Sequence, residues 1–98
     1  MSLFDKKAPL KNELFEVLLK QKNIEITHIV SSSNLTSKEY DQNEDEFVLI
    51  LEGEATLEIN EEKKLLKKGE YIFLPAHTKH KILSVKQNTH WLAIYIKN

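Results

Sequence analysis

The sequence predicts an all-β fold in which short strands close on themselves as a sandwich or barrel. Three observations lead there. From Ile24 onward apolar side chains recur at alternate positions, the period of a half-buried strand. The apolar runs are short and are separated by turn-forming clusters such as Asn60-Glu61-Glu62 and Lys67-Lys68-Gly69. No stretch suggests a linker, a repeat or low complexity, so the 98 residues are expected to form one small domain.

Taken in order, residues 1–10 mix polar and apolar side chains and are expected to form an arm. Leu14, Phe15, Leu18 and Leu19 then recur at helical spacing, with Glu13, Glu16 and Lys20 on the other side. Asn12 suits an N-cap, so the spacing predicts one short helix over residues 13–21. The period changes to two at Ile24, Ile26, His28 and Val30, which puts His28 on the apolar face of a strand. A polar turn region over residues 31–38 and the stretch Tyr40-Asp41-Gln42-Asn43-Glu44-Asp45 lead into the apolar run 47–51. Gly53 breaks that run, and Ala55, Leu57 and Ile59 alternate as the next strand. After Gly69 come a strand over residues 71–74, Pro75 to end it, and a loop carrying His77. His80 opens the next strand, and Trp91 to Ile96 is the last one. Ile26, Val48, Leu57, Ile72, Leu74 and Ile82 are the expected core.

Composition narrows the function. Apolar content of 41% with 30% charged residues is that of a folded chain. A net charge of −1 offers no electrostatic attraction for nucleic acid or anionic membranes, so neither is expected as a partner. All 14 basic residues are lysines, which excludes any site built on an arginine fork. Without cysteine there is no disulfide, thiolate nucleophile or cysteine metal site. No apolar run has the length of a membrane span and no signal-peptide pattern opens the chain, so a cytoplasmic protein is expected.

Two stretches carry spacing of a more specific kind. Glu46 is followed by six residues and Gly53; Gly69 is followed by five residues and Pro75, then by His80 and Ser84. These spacings resemble the two signature motifs of the cupins, small jelly-roll barrels. Glu46, Gly53, Gly69, Pro75 and His80 match the family pattern. Tyr40 and Gln42 stand where its paired histidines would be, His77 replaces a glycine, and Ser84 replaces an asparagine. The Tyr40-Asp41-Gln42 variant resembles a subgroup of small, mostly uncharacterised cupins. The resemblance implies a cupin-type jelly-roll β-barrel over residues 23–98, preceded by an arm and a short N-terminal helix over residues 1–22.

The same resemblance turns one strand face inward. Tyr40, Gln42, Glu46 and Val48 share that face if no bulge intervenes, and His80 faces it from the partner strand. Gln42, Glu46 and His80 are then candidate ligands for a divalent metal such as Mn, Fe, Ni or Zn, with Tyr40 as a further ligand or an acid. The alternative is a polar pocket without metal in which Glu46 and His80 hydrogen-bond each other. Tyr40, His28 and His77 are the further pocket candidates, and His90 could add a ligand from the last strand. Three functions fit: a metal-dependent small-molecule protein, a non-catalytic binding module for a small polar or sugar-like ligand, and a metal-free isomerase or epimerase using a His/Tyr pair. Whether the chain is an enzyme is left open. Apolar strand surface remaining outside so small a barrel predicts a homodimer.

Overall fold

The expected alternation builds nine strands in the computed structural model, which describes residues 2–36 and 39–98. They are β1 (Glu13–Gln21), β2 (Ile24–Ser31), β3 (Glu39–Tyr40), β4 (Asp45–Glu52) and β5 (Glu54–Ile59), then β6 (Glu62–Lys67), β7 (Tyr71–Leu74), β8 (His80–Val85) and β9 (Thr89–Ile96). Two antiparallel sheets result, one in the order β1-β2-β9-β4-β7 and the other β3-β8-β5-β6. They face each other as a jelly roll, so the expected closed barrel is a two-sheet shell. Between the sheets lie Val48, Ile50, Leu57, Leu74, Trp91 and Ala93, each burial of a large apolar side chain contributing roughly 1.5–3 kcal/mol. Of the expected core, Val48, Leu57 and Leu74 are buried there, while Ile72 and Ile82 pack against them half-buried. Ile26 pairs with Ile94 on the outer face of the larger sheet and does not join the core.

The helix expected over residues 13–21 is strand β1, paired antiparallel with β2 along its length. Its misleading spacing has a physical origin. The register shifts between Val17 and Leu19, a bulge that reverses side-chain parity along β1. Leu14 and Leu19, five positions apart, thereby face the same side, where an unbroken strand would turn them to opposite faces. Lys22 closes the β1–β2 turn in the left-handed region at φ 53°. The one helical turn among the described residues is a 3-10 turn, Leu3–Asp5, capped by Ser2. No helix among the described residues is long and apolar enough to cross a membrane.

Other turns follow the sequence. Asn60 and Glu61 both take positive φ, 49° and 69°, the conformation of a two-residue hairpin between β5 and β6. Pro75 ends β7 as expected. The loop after it is held down twice: the Ala76 amide donates to Asp45 Oδ1 at 2.8 Å, and the His77 amide donates to the Gln42 carbonyl at 2.7 Å. These bonds fasten the β7–β8 connection to the β3–β4 connection and bring the start of β8 against the start of β4.

Candidate functional site

Glu46 lies near the start of β4, a strand flanked by β9 and β7, with Tyr95 and Leu74 as register neighbours. Alternation turns Glu46 and Val48 inward and Phe47 outward. His80 opens β8 in the facing sheet, paired with Tyr40 on one side and Ile59 on the other. The fold therefore aims Glu46 and His80 at each other across the interior. His80 Nε2 is 3.8 Å from Glu46 Oε1, close enough for an ion pair and too long for a hydrogen bond. His80 Nδ1 is 2.8 Å from the Thr78 carbonyl, which only accepts, so Nδ1 carries a proton. In the neutral ring, the Nε2 lone pair then faces Glu46.

Gln42 stands behind this pair. Its Nε2 donates to Glu46 Oε1 at 2.6 Å, from the half-buried loop between β3 and β4. Tyr40 stacks on His80, with ring centroids 5.5 Å apart and planes 23° from parallel. Its hydroxyl is thus carried beside the imidazole and does not oppose it across an open space. Burial pushes the Glu46 carboxyl above the ordinary carboxylate range, and the nearby His80 and the Gln42 hydrogen bond pull it back only partly. The Tyr40 phenol is raised first by burial, then by Glu13 and Glu46.

A cavity opens between Glu46 and His80, with a volume of about 60 Å3 for water-sized occupants. Its aromatic wall consists of Phe15, Tyr40, Trp91 and Tyr95, and its second carboxyl is Glu13. Glu13 Oε2 accepts from Ser31 Oγ at 2.5 Å, and Ser31 Oγ accepts from Trp91 Nε1 at 2.9 Å. Burial raises the Glu13 carboxyl as well, against the lowering effect of the Ser31 hydrogen bond. The Tyr95 phenol is pushed far up by burial, with Glu46 and Glu13 adding to the effect. The sequence reading missed Glu13, because a helix over residues 13–21 assigned it to a solvated first turn. Trp91 and Tyr95 were accessible from the period-two pattern of the last strand, where they alternate with Leu92 and Ile94.

Two expected pocket residues lie elsewhere. His28 is on the outer face of the larger sheet, because Ile29 and Ser31 take the inner positions of β2. It is 1% exposed, with Nε2 2.9 Å from His90 Nδ1 and the two rings stacked at 5.1 Å. Phe4 covers His90 edge-on at 5.2 Å, and Glu16 Oε1 lies 3.9 Å from His28 Nδ1. His90 is therefore excluded from the cavity too. His77 is exposed at the rim, with Nδ1 3.1 Å from Asp41 Oδ1. Its φ of 63° is in the region that favours glycine, the residue the resembling motif has at that position.

A divalent metal requires three or four converging donors. Among the described residues no group of three His, Cys, Asp or Glu side chains is arranged to hold one. Gln42 also presents hydrogens, not its carbonyl oxygen, to Glu46. The expected set of Gln42, Glu46 and His80 is brought together, with one imidazole, one carboxylate and one amide as its donors.

Comparisons with known proteins agree with this architecture. The cupin domain family matches residues 30–95. A candidate mannose-6-phosphate isomerase of Ralstonia eutropha JMP134 superposes with a TM-score of 0.87 at 26% identity, covering 100% of this chain and 97% of that one. A cupin superfamily protein of Desulfitobacterium hafniense DCB-2 gives 0.83 at 24% identity, over 95% of this chain and 84% of that one. KdgF from a Halomonas species gives 0.80 at 12% identity, over 89% and 82%. The search of curated proteins found no match. With the two-sheet jelly roll and the family match over residues 30–95, the chain belongs to the cupin domain family.

Proposed function

We propose that this cupin is a metal-independent binding module that takes a small organic molecule into its interior cavity. The observation that carries the reading is the buried pair of Glu46 and His80, 3.8 Å apart at one cavity whose other walls are mostly aromatic and aliphatic. A carboxyl and a free imidazole nitrogen supply polar recognition, and the rings supply contact area. The divalent metal that the family resemblance implies (Mn, Fe, Ni or Zn) is not supported by this donor set, since one imidazole and one carboxylate already bonded to Gln42 fall short of a coordination shell.

The isomerase name of the Ralstonia relative does not transfer readily. A sugar phosphate is best held by a cation or by converging backbone amides, and among the described residues no lysine lines this cavity. Tyr40, stacked on His80, is also poorly placed as the opposing acid of a His/Tyr pair.

The test is a fragment screen read at Trp91, the only tryptophan, whose indole N–H gives a single isolated nuclear magnetic resonance signal. Bound fragments are expected to move that signal and those of Tyr40 and Glu46, leaving His28 and His90 in place. Fragments that bind only on the outer face would overturn the reading.

We further propose a homodimer formed through the outer face of the five-stranded sheet. Phe47 and Tyr71 stack there at 5.3 Å, and Phe73, the register partner of Phe47, is half exposed. Replacing Phe47 by Glu would put a charge at the centre of that apolar surface. Sedimentation at micromolar concentration is expected to give a dimer for the wild type and a folded monomer for Phe47→Glu. A wild-type monomer would refute this assembly.

A further inference from the structure

The charge of the cavity differs from what its size alone would suggest. Among the described residues two carboxyls, Glu13 and Glu46, border it, against one imidazole and no lysine. The sequence has no arginine. Glu46 is 7% exposed. Each carboxyl is fixed by one oxygen only: Glu13 Oε2 by Ser31, and Glu46 Oε1 by Gln42. Among the described residues no hydrogen bond engages Glu13 Oε1 or Glu46 Oε2, so each keeps acceptor capacity. The rings of Tyr40, Trp91 and Tyr95 also line the cavity. A neighbouring groove bordered by Asn12 and Thr36 shares Glu13 and Tyr40 with the cavity.

We propose that the cavity selects a small organic cation, a protonated aliphatic amine, over neutral and anionic molecules of the same shape. The proposal rests on the reading of the cavity as a ligand site and names its ligand class. An ammonium group has three donors and no acceptor, which complements two carboxyls and suits no other arrangement of these groups. An anion would meet two carboxyls in a low-dielectric space, with His80 as the one group among the described lining residues able to carry positive charge.

Binding should also be linked to protons. Burial holds Glu13 and Glu46 toward their protonated forms in the empty cavity, and His80, Glu44, Tyr40 and Tyr95 are the other titratable groups acting with them. An entering cation favours the ionised carboxyls, so protons leave as it binds and its affinity rises with pH through their titration.

The experiment titrates the full chain with propylammonium, propan-1-ol and propionate, three probes of one shape and different charge. Binding is followed by the Trp91 indole N–H signal and by calorimetry in two buffers of different ionisation enthalpy. Propylammonium is expected to bind about tenfold or more tightly than propan-1-ol, with propionate weakest and with proton release on binding of the amine. Glu13→Gln and Glu46→Gln should each lower amine affinity about tenfold while leaving propan-1-ol nearly unchanged. Propionate or propan-1-ol moving Trp91 at equal or lower concentration than the amine would overturn the cation assignment and leave the ligand cavity standing. If no probe moves Trp91, the cavity reading falls and the cation assignment with it. Amine binding that survives in the double variant would also overturn the assignment, since the site would then lie elsewhere.

Discussion

Gly53→Ala is expected to destabilise the domain by about 3 kcal/mol or more, a large share of the 5–15 kcal/mol typical of such a fold. Two costs combine at this position. Its φ of 92° is one that an L side chain rarely adopts, and an added Cβ would lie 2.9 Å from Thr89 Cα and closer still to Thr89 Oγ1. Thr89 cannot yield, because its hydroxyl bonds the Lys86 carbonyl at 2.7 Å and receives the Glu54 amide at 3.3 Å. Gly69 serves as the internal comparison. Its φ is 83° but nothing lies within 4 Å of an added Cβ, so Gly69→Ala should cost only the conformational part, about 1 kcal/mol. Urea unfolding of the two variants measures the difference. Equal losses would show that the approach of Thr89 to Gly53 contributes nothing.

Acid should cost the protein the stability contributed by the histidine pair on its outer face. Burial lowers the pKa of His28, with the neighbouring His90 adding to the effect against Glu16; burial lowers that of His90, with Glu52 opposing. Both groups therefore take up protons more readily in the unfolded chain. Their stabilising contribution is complete above the ordinary histidine value of about 6.5 and is lost as pH falls through the lowered folded values, at up to about 1.4 kcal/mol per pH unit for each proton. Glu13 and Glu46 act with the opposite sign. Their folded values are raised, so their contribution is complete below the ordinary carboxyl value of about 4.3 and is lost as pH rises through the folded values. Between those limits the two effects oppose each other. In a His28→Leu, His90→Leu variant the histidine effect is gone as pH falls from about 7 to about 5, and the opposing carboxyl effect remains. The wild type should gain less than the variant over that interval or lose stability. Identical pH dependence of both proteins, measured by urea titration, would refute the assignment.

The sequence carried the jelly roll because that fold depends on period-two alternation, turn residues and two glycines with fixed roles. Gly53 and Gly69 both take positive φ, and Pro75 ends a strand, as their spacing required. Glu46 and His80 were legible for the same reason, since each occupies a fixed place relative to those turns. What failed was parity across irregular points. The β1 bulge imitated a helix and hid Glu13. For β2 the pattern was ambiguous because both faces are covered, so His28 looked inward when it stacks on His90 on the outer face. The chemistry of Gln42 was out of reach for a different reason. Whether its amide joins a metal or donates to Glu46 depends on a loop conformation fixed by the Ala76 and His77 amides, contacts that no local pattern announces.

The proposed metal independence of the pocket is tested most directly by a long-range proton–nitrogen spectrum of the imidazoles during addition of Zn2+. His80 is expected to appear with its proton on Nδ1, held by the Thr78 carbonyl, and with an Nε2 signal that one equivalent of Zn2+ leaves in place. A stoichiometric displacement of that Nε2 signal, lost in Glu46→Gln, would contradict the account and establish Glu46 and His80 as metal ligands.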